Sequence, residues 1–153
     1  MRIIKYILLI LLIFSSSCGY RAVNNLKNYD FVINKFELSG DKKINYILEK
    51  NFKRFQSEEN QSDLKIFAES EKNISILSKN TEGEVTTYDI EVIIKIEVYK
   101  NQKMIDSMIF KENSNYDNLN SKFELKQYEN ILLRDLVEEI VININNHISS
   151  LKW

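Results

Sequence analysis

The chain has no proline, three glycines, one cysteine and one histidine in 153 residues. Each shortage excludes something. A single cysteine forbids an internal disulfide framework, and one cysteine with one histidine cannot assemble a Cys/His zinc site. Three glycines are too few for a phosphate-cradling loop, and neither GxGxxG nor GxxxxGK occurs. Charge of one sign is also lacking: 21 basic against 22 acidic side chains leave a net charge of −1. Bulk charge therefore draws the chain onto neither nucleic acid nor an anionic surface. These absences argue against most enzyme classes and imply a non-enzyme without cofactor, metal or nucleic-acid partner. What is abundant is Lys, Asn and Ile, a bias that fits AT-rich codons better than any chemistry. The hydrophobic share of 44% supports an ordinary core, and the length argues for one domain.

The N-terminus carries the most specific signal. Arg2 and Lys5 precede an uncharged run from Tyr6 to Phe14. That run suits the apolar core of a secretory signal and is too short to span a bilayer, which takes about 20 residues. Ser15, Ser16 and Ser17 then lead into Cys18, the only cysteine. Small residues before a unique cysteine resemble a bacterial lipoprotein signal, with cleavage after Ser17 and a diacylglycerol on the Cys18 thiol. An ordinary secretory signal with an incidental Cys18 is the competing reading. Gly19 rather than Asp follows, which by the same resemblance directs the protein to the outer membrane, on the periplasmic side. More than one acyl chain makes such anchoring firm. The expected organisation is a signal at 1–17, a lipidated tether at 18–29, and one domain at 30–153.

Within the domain, Phe31 to Leu38 reads as a short strand. Ser39-Gly40-Asp41 is a turn with a capping residue. Ile44, Ile47, Leu48, Phe52 and Phe55 then recur at helical spacing over about four turns. Leu64 to Ile76 alternates as one long strand, with irregularity expected near Ser70 to Asn73. Lys79 to Gly83 is a turn. Tyr88, Ile90, Val92, Ile94, Ile96 and Val98 keep one strand face, opposite Asp89, Glu91, Ile93, Lys95, Glu97 and Tyr99. Asn101-Gln102 turns the chain into a hairpin partner at Lys103 to Lys111. Ser121 and Glu124 have capping-box spacing and open a helix over roughly Lys122 to Ser150. Its stripe runs from Leu125 and Tyr128 through Leu132, Leu136, Ile140 and Ile144. Both helices are one-sided, so the expected fold is α+β: two helices packed on one face of a sheet of about four strands.

Candidate chemistry is sparse. His147 has no recognisable catalytic partner in the sequence and reads as a solvated or capping residue. Asp135, Glu138 and Glu139 read as a solvated helix face. Lys43, Lys50, Lys53 and Arg54 form a basic run, diluted by Glu49, that could meet phosphates of an anionic lipid. The open sheet face and the turn from Lys79 to Gly83 are the expected partner surface. Ile93 and Tyr99 are its apolar anchors, because interface energy concentrates in a few apolar or aromatic residues. A pocket lined by Phe36, Phe52 and Tyr88 would instead indicate a small envelope lipoprotein of structural or ligand-binding type, with no such partner.

The order of elements over about 130 residues resembles the LPS-assembly lipoprotein LptE family. Cys18-Gly19-Tyr20 is similar to its lipidated start. The strand and helix across Phe31 to Phe55 fall where that family has its first pair. A hairpin ends in Asn113-Ser114-Asn115-Tyr116-Asp117, and a long helix follows with Glu129 and then Leu133-Arg134-Asp135-Leu136. The resemblance implies a lipoprotein of the outer membrane's inner leaflet. It would partner the LptD β-barrel as plug and assembly factor in lipopolysaccharide transport, with lipopolysaccharide itself a further partner. A barrel lumen is polar, and a mixed polar sheet face suits it.

Overall fold

The structure, a computed structural model, describes residues 31–56 and 63–151. The signal, the tether and Cys18 lie outside the described residues, as does most of the polar loop expected at Gln56 to Ser62.

Four strands and two helices follow in the order β1 (Lys35–Gly40), α1 (Lys42–Phe52), β2 (Leu64–Lys79), β3 (Val85–Lys100), β4 (Lys103–Asp117) and α2 (Lys122–Ser150). The sheet order is β1-β2-β3-β4. β1 runs parallel to β2, and the other pairings are antiparallel. Parallel neighbours need a crossover, and α1 supplies it. The α+β architecture is as expected, with both helices on one sheet face.

Local chemistry sets the element ends. The Asp41 carboxylate caps α1 by accepting from the backbone N–H groups of Lys43 (2.8 Å) and Ile44 (3.1 Å). Gly40, just before the cap, has φ +95°, and a Cβ there would sit 1.9 Å from the Ser70 carbonyl oxygen. Only glycine permits β1 to approach β2 so closely while turning into α1. Asn101 and Gln102 both have positive φ, the two-residue turn that matches strand twist. The Ser121 hydroxyl accepts from Glu124 N–H at 3.3 Å and opens α2.

Core residues follow the expected faces. Ile44, Leu48 and Phe52 of α1 and Ile90, Val92, Ile94, Ile96 and Val98 of β3 are buried. So are Leu133, Val137, Ile140, Ile144 and Ile148 of α2.

Several expectations need correction. β1 begins at Lys35 and reaches Gly40, and Ile33 contributes only an isolated bridge to Gln56. α1 ends at Phe52, and Lys53–Phe55 tighten into a 3-10 turn. β2 pairs without interruption through Ser70 to Asn73, and its register shifts only between Ile76 and Lys79. β4 continues to Asp117, because Asn113 to Asp117 keep pairing with Glu91 to Thr87. The first turns of α2 bury nothing completely: Leu125 is half-buried and Tyr128 exposed. These turns project beyond the packed helix pair, so the apolar stripe outruns the surface available to cover it.

Candidate partner interface

The open face of the sheet presents the outward residues of β3 between those of β2 and β4. The charges at its centre, on β3 and β4, are largely paired with one another, while Lys65, Glu69 and Glu71 of β2 on the same face make no ion pair with the described residues. Lys95 meets Glu97 at 2.7 Å and Lys111 meets Glu91 at 2.6 Å. The Tyr99 hydroxyl donates to Glu97 at 3.1 Å, and Asn113 donates to Asp89 at 3.0 Å. The bond from Lys111 holds the Glu91 carboxyl below the usual range. Bonds from Lys95 and Tyr99 do the same for Glu97, while Glu97 raises both Lys95 and Tyr99. A face with its charges matched to one another is costly to hide in hydrocarbon and cheap to place against a hydrated polar wall.

Ile93 and Tyr99 both lie on this face, half-buried by their neighbours. Tyr99 also packs edge-on against Phe67, with ring centroids 5.2 Å apart. Ile93 sits between Glu71 and Lys111 in the register. Ile109 of β4, 65% exposed beside Lys95, is a further apolar point that sequence reasoning missed. Its spacing of two from Lys111 could have revealed it.

Lys79 and Gly83 are placed elsewhere. Lys79 pairs with Val85 and Tyr99 pairs with Lys65, at opposite ends of β3. At about 3.3 Å per residue, the two ends lie on the order of 45 Å apart. The four named residues therefore form no compact patch: Ile93 and Tyr99 share the face, while Lys79 and Gly83 belong to the hairpin tip. Asn80 organises that tip, its side-chain oxygen accepting from the N–H groups of Glu82 (3.1 Å) and Glu84 (2.8 Å). Gly83 adopts φ +85° with open space around it.

Beside the tip is an open cleft of about 760 Å³, bounded by Asn80, Tyr88, Asn118, Leu119, Lys122 and Glu129. Tyr116 joins it to the core. Its hydroxyl donates to Glu129 at 3.0 Å, and its ring stacks on Tyr88 at 5.5 Å. Burial first, then Glu129, pushes the Tyr116 hydroxyl well above the usual tyrosine range. Burial also pushes the Glu129 carboxyl up, but the bonds from Lys126 and Tyr116 outweigh it and leave it below its ordinary value. The tyrosine and glutamate that carried the family resemblance thus meet each other.

This is the architecture of known bacterial lipoproteins. The chain superposes on rare lipoprotein B from Shewanella oneidensis with a TM-score of 0.61, at 14% identity over 76% of this chain and 95% of that one. A minor lipoprotein from Acinetobacter baumannii gives 0.59 at 15% identity, covering 78% and 93%. Lipoprotein B from Nitrosomonas europaea gives 0.60 at 14% identity, covering 78% and 84%. No family model and no curated protein sequence matches the chain. At such low identity the likeness establishes the fold, and it extends over nearly the whole of each lipoprotein domain.

The remaining candidates resolve into structural parts. His147 Nε2 lies 2.5 Å from Asp106 Oδ2, and its ring meets Phe110 edge-on, tying the end of α2 to the start of β4. This carboxylate partner was invisible in the sequence because it lies on another element. Asp135, Glu138 and Glu139 are exposed. Phe36 and Phe52 pack ring against ring at 4.8 Å, whereas Tyr88 lies ten positions along β3 from Val98, the residue in the same sheet row as Phe36 and Ile66. The three aromatics line no common pocket. Among the described residues no cluster of His, Cys, Asp or Glu could hold a metal ion. None of the described helices is long and apolar enough to cross a membrane.

Proposed function

We propose that this chain is an LptE-type outer-membrane lipoprotein. It is anchored through Cys18 on the periplasmic side and partners an LptD-type β-barrel as plug and assembly factor in lipopolysaccharide transport. The observation that carries this reading is the superposition on rare lipoprotein B, a name of LptE, over 95% of that domain. Two further features support it. The N-terminus resembles a lipoprotein signal, and the open sheet face is polar, with paired charges along β3, and dotted with Ile93, Tyr99 and Ile109. A lumen lined with polar side chains and water accepts such a face without stranding a charge. The alternative of a small ligand-binding or structural lipoprotein loses its expected pocket, since Phe36, Phe52 and Tyr88 are not gathered.

The test is detergent extraction followed by affinity capture of the tagged mature chain. A β-barrel of about 80 kDa or more, the size the family resemblance implies, should copurify. The Ile93→Asp, Tyr99→Asp double variant, first shown to fold by circular dichroism, should recover at least tenfold less barrel, the order expected for losing central anchors. Wild-type recovery by a folded double variant removes this face from the interface. Absence of any barrel from the wild-type capture removes the function.

A further inference from the structure

On the opposite side of the molecule, the outer surfaces of α1 and α2 enclose a shallow groove. Two hollows of about 430 and 250 Å³ share Tyr46, Ile47 and Arg134 and so run into one another. The floor is apolar, from Ile47, Leu133 and the ring of Tyr46, which is 68% exposed. The rim is basic: Lys42, Lys43 and Lys50 line it from α1, Arg54 from the 3-10 turn that follows and Arg134 from α2, with Glu138 its one acid. Of the basic run noted in the sequence, Lys43, Lys50 and Arg54 line the groove and Lys53 does not, while Lys42 and Arg134 join them around an amphipathic floor.

These cations are less committed than Lys95 and Lys111 at the centre of the open face. Lys95 and Lys111 each hold a carboxylate on the open face. In the groove, Lys43 donates to the neutral Asn130 at 2.7 Å, and Arg134 has only a loose 3.7 Å pairing with Asp135. Arg54 lies over the Phe55 ring at 4.7 Å. Lys42 and Lys50 make no ion pair with the described residues.

The path of the chain supplies the second argument. Phe31, where the described domain begins, packs its ring on Phe55 at 4.9 Å, and Ile33 N–H donates to the Phe55 carbonyl at 2.7 Å. The stretch leading back to Cys18 therefore joins the domain beside Arg54, at one end of the groove. Fully extended, Cys18 to Asp30 reaches no more than about 45 Å.

We propose that the groove between α1 and α2 docks on the anionic phospholipid headgroups of the bilayer that holds the chain's own N-terminal lipid. This rests on the reading of Cys18 as lipidated. Anionic headgroups match the uncommitted cations, and Tyr46 has the amphipathic ring favoured at a membrane interface. Each basic residue near an anionic surface raises occupancy roughly fivefold. The tether makes the encounter intramolecular, so a patch too weak to recruit a free protein can still orient an anchored one. The open sheet face then points away from the bilayer, so the docked state is that of the anchored domain before a barrel lumen takes in its sheet face.

The experiment reconstitutes the mature chain, with its lipid confirmed by mass spectrometry, into phosphatidylcholine vesicles with or without about 30% phosphatidylglycerol. An environment-sensitive fluorophore is attached to Glu49→Cys on the exposed side of α1, or to Asn113→Cys on the open face. The Glu49 label should shift to the blue only with phosphatidylglycerol, revert in about 1 M salt as the Debye length falls to roughly 3 Å, and lose at least fivefold in signal on Lys42→Glu, Lys50→Glu. The Asn113 label should not respond. An equal shift on phosphatidylcholine alone, or none with phosphatidylglycerol, overturns the docking surface. If Cys18 carries no lipid, sedimentation of the same chain with phosphatidylglycerol vesicles separates the two ideas. Charge-dependent binding then supports the groove without the anchor, and no binding sinks both.

Discussion

Along β2, Leu64, Ile66, Ala68 and Ser70 are buried, whereas Ile74 and Ile76, further along the same face, are 40% and 52% exposed. The alternation of side chains is unchanged; what changes is the cover. β1 stops at Gly40, opposite Ser70, and α1 starts there and folds back over the first half of the strand. α2 buries residues only from Leu133 onward. Period-two hydrophobicity reports which side of a strand a residue occupies, not whether another layer lies on that side. The covered half supplies the core. The uncovered half of β2 leads into the hairpin tip, while on β3 and β4 the cover persists, with Ile90 opposite Ile74 and Tyr116 beside Tyr88 still buried.

The junction between the halves gives the largest expected effect. Ile94 pairs with Ser70 and is fully buried, while Ile93 pairs with Glu71 and Lys111 on the open face. Ile94→Lys places an unpaired ion in the core and should cost several kcal/mol, enough to unfold a domain of ordinary stability. Ile93→Lys puts its ammonium between the Glu71 carboxylate and the Lys111 ammonium, whose effects oppose each other, and should stay within about 1 kcal/mol. Urea denaturation of both variants measures this. Equal losses at the two positions would mean that a second layer covers the open face.

A milder pair compares the halves directly. Ile66→Ala should cost about 2–4 kcal/mol, because a buried methyl cluster leaves a cavity. Ile76→Ala, on the same face of the same strand, should change stability by no more than about 0.5 kcal/mol. A cost above about 1.5 kcal/mol at Ile76 would show that the far half is packed in solution.

The contrast also explains what was legible in the sequence. The faces of β3, the span of α2 and the two-helix, four-strand architecture were readable because each rests on local periodicity and capping. Tyr128 could not be read as exposed, because its fate depends on how far α2 projects beyond its support. Ile93 and Tyr99 were placed on the correct face by parity alone. Ile109, Phe67 and the distance from Tyr99 to Lys79 needed the strand register. The Asp106 partner of His147 and the Arg134 member of the basic groove needed the helix to be laid on the sheet, since neither pairing has a sequence spacing that announces it.

A loss smaller than that at Ile94 or Ile66 is expected at the link between the two halves. Tyr116 is buried, yet its hydroxyl reaches Glu129 at the edge of the uncovered cleft. Tyr116→Phe keeps the ring stacked on Tyr88 and removes one charge-assisted bond, so it should cost about 1 kcal/mol at neutral pH. The cost should depend on pH with a defined sign. Glu129 sits below its ordinary value in the folded state, partly through this bond. A depressed carboxyl contributes stability that is present above its unfolded pKa and is lost as pH falls through the folded one. The gap between wild type and Tyr116→Phe should thus be full at pH 7 and shrink as pH drops below the ordinary carboxylate range of about 4.3. Denaturation midpoints of the two proteins at pH 7 and pH 3 decide it. A gap that stays constant, or widens in acid, would assign the role of Tyr116 to packing alone and leave the cleft energetically separate from the core.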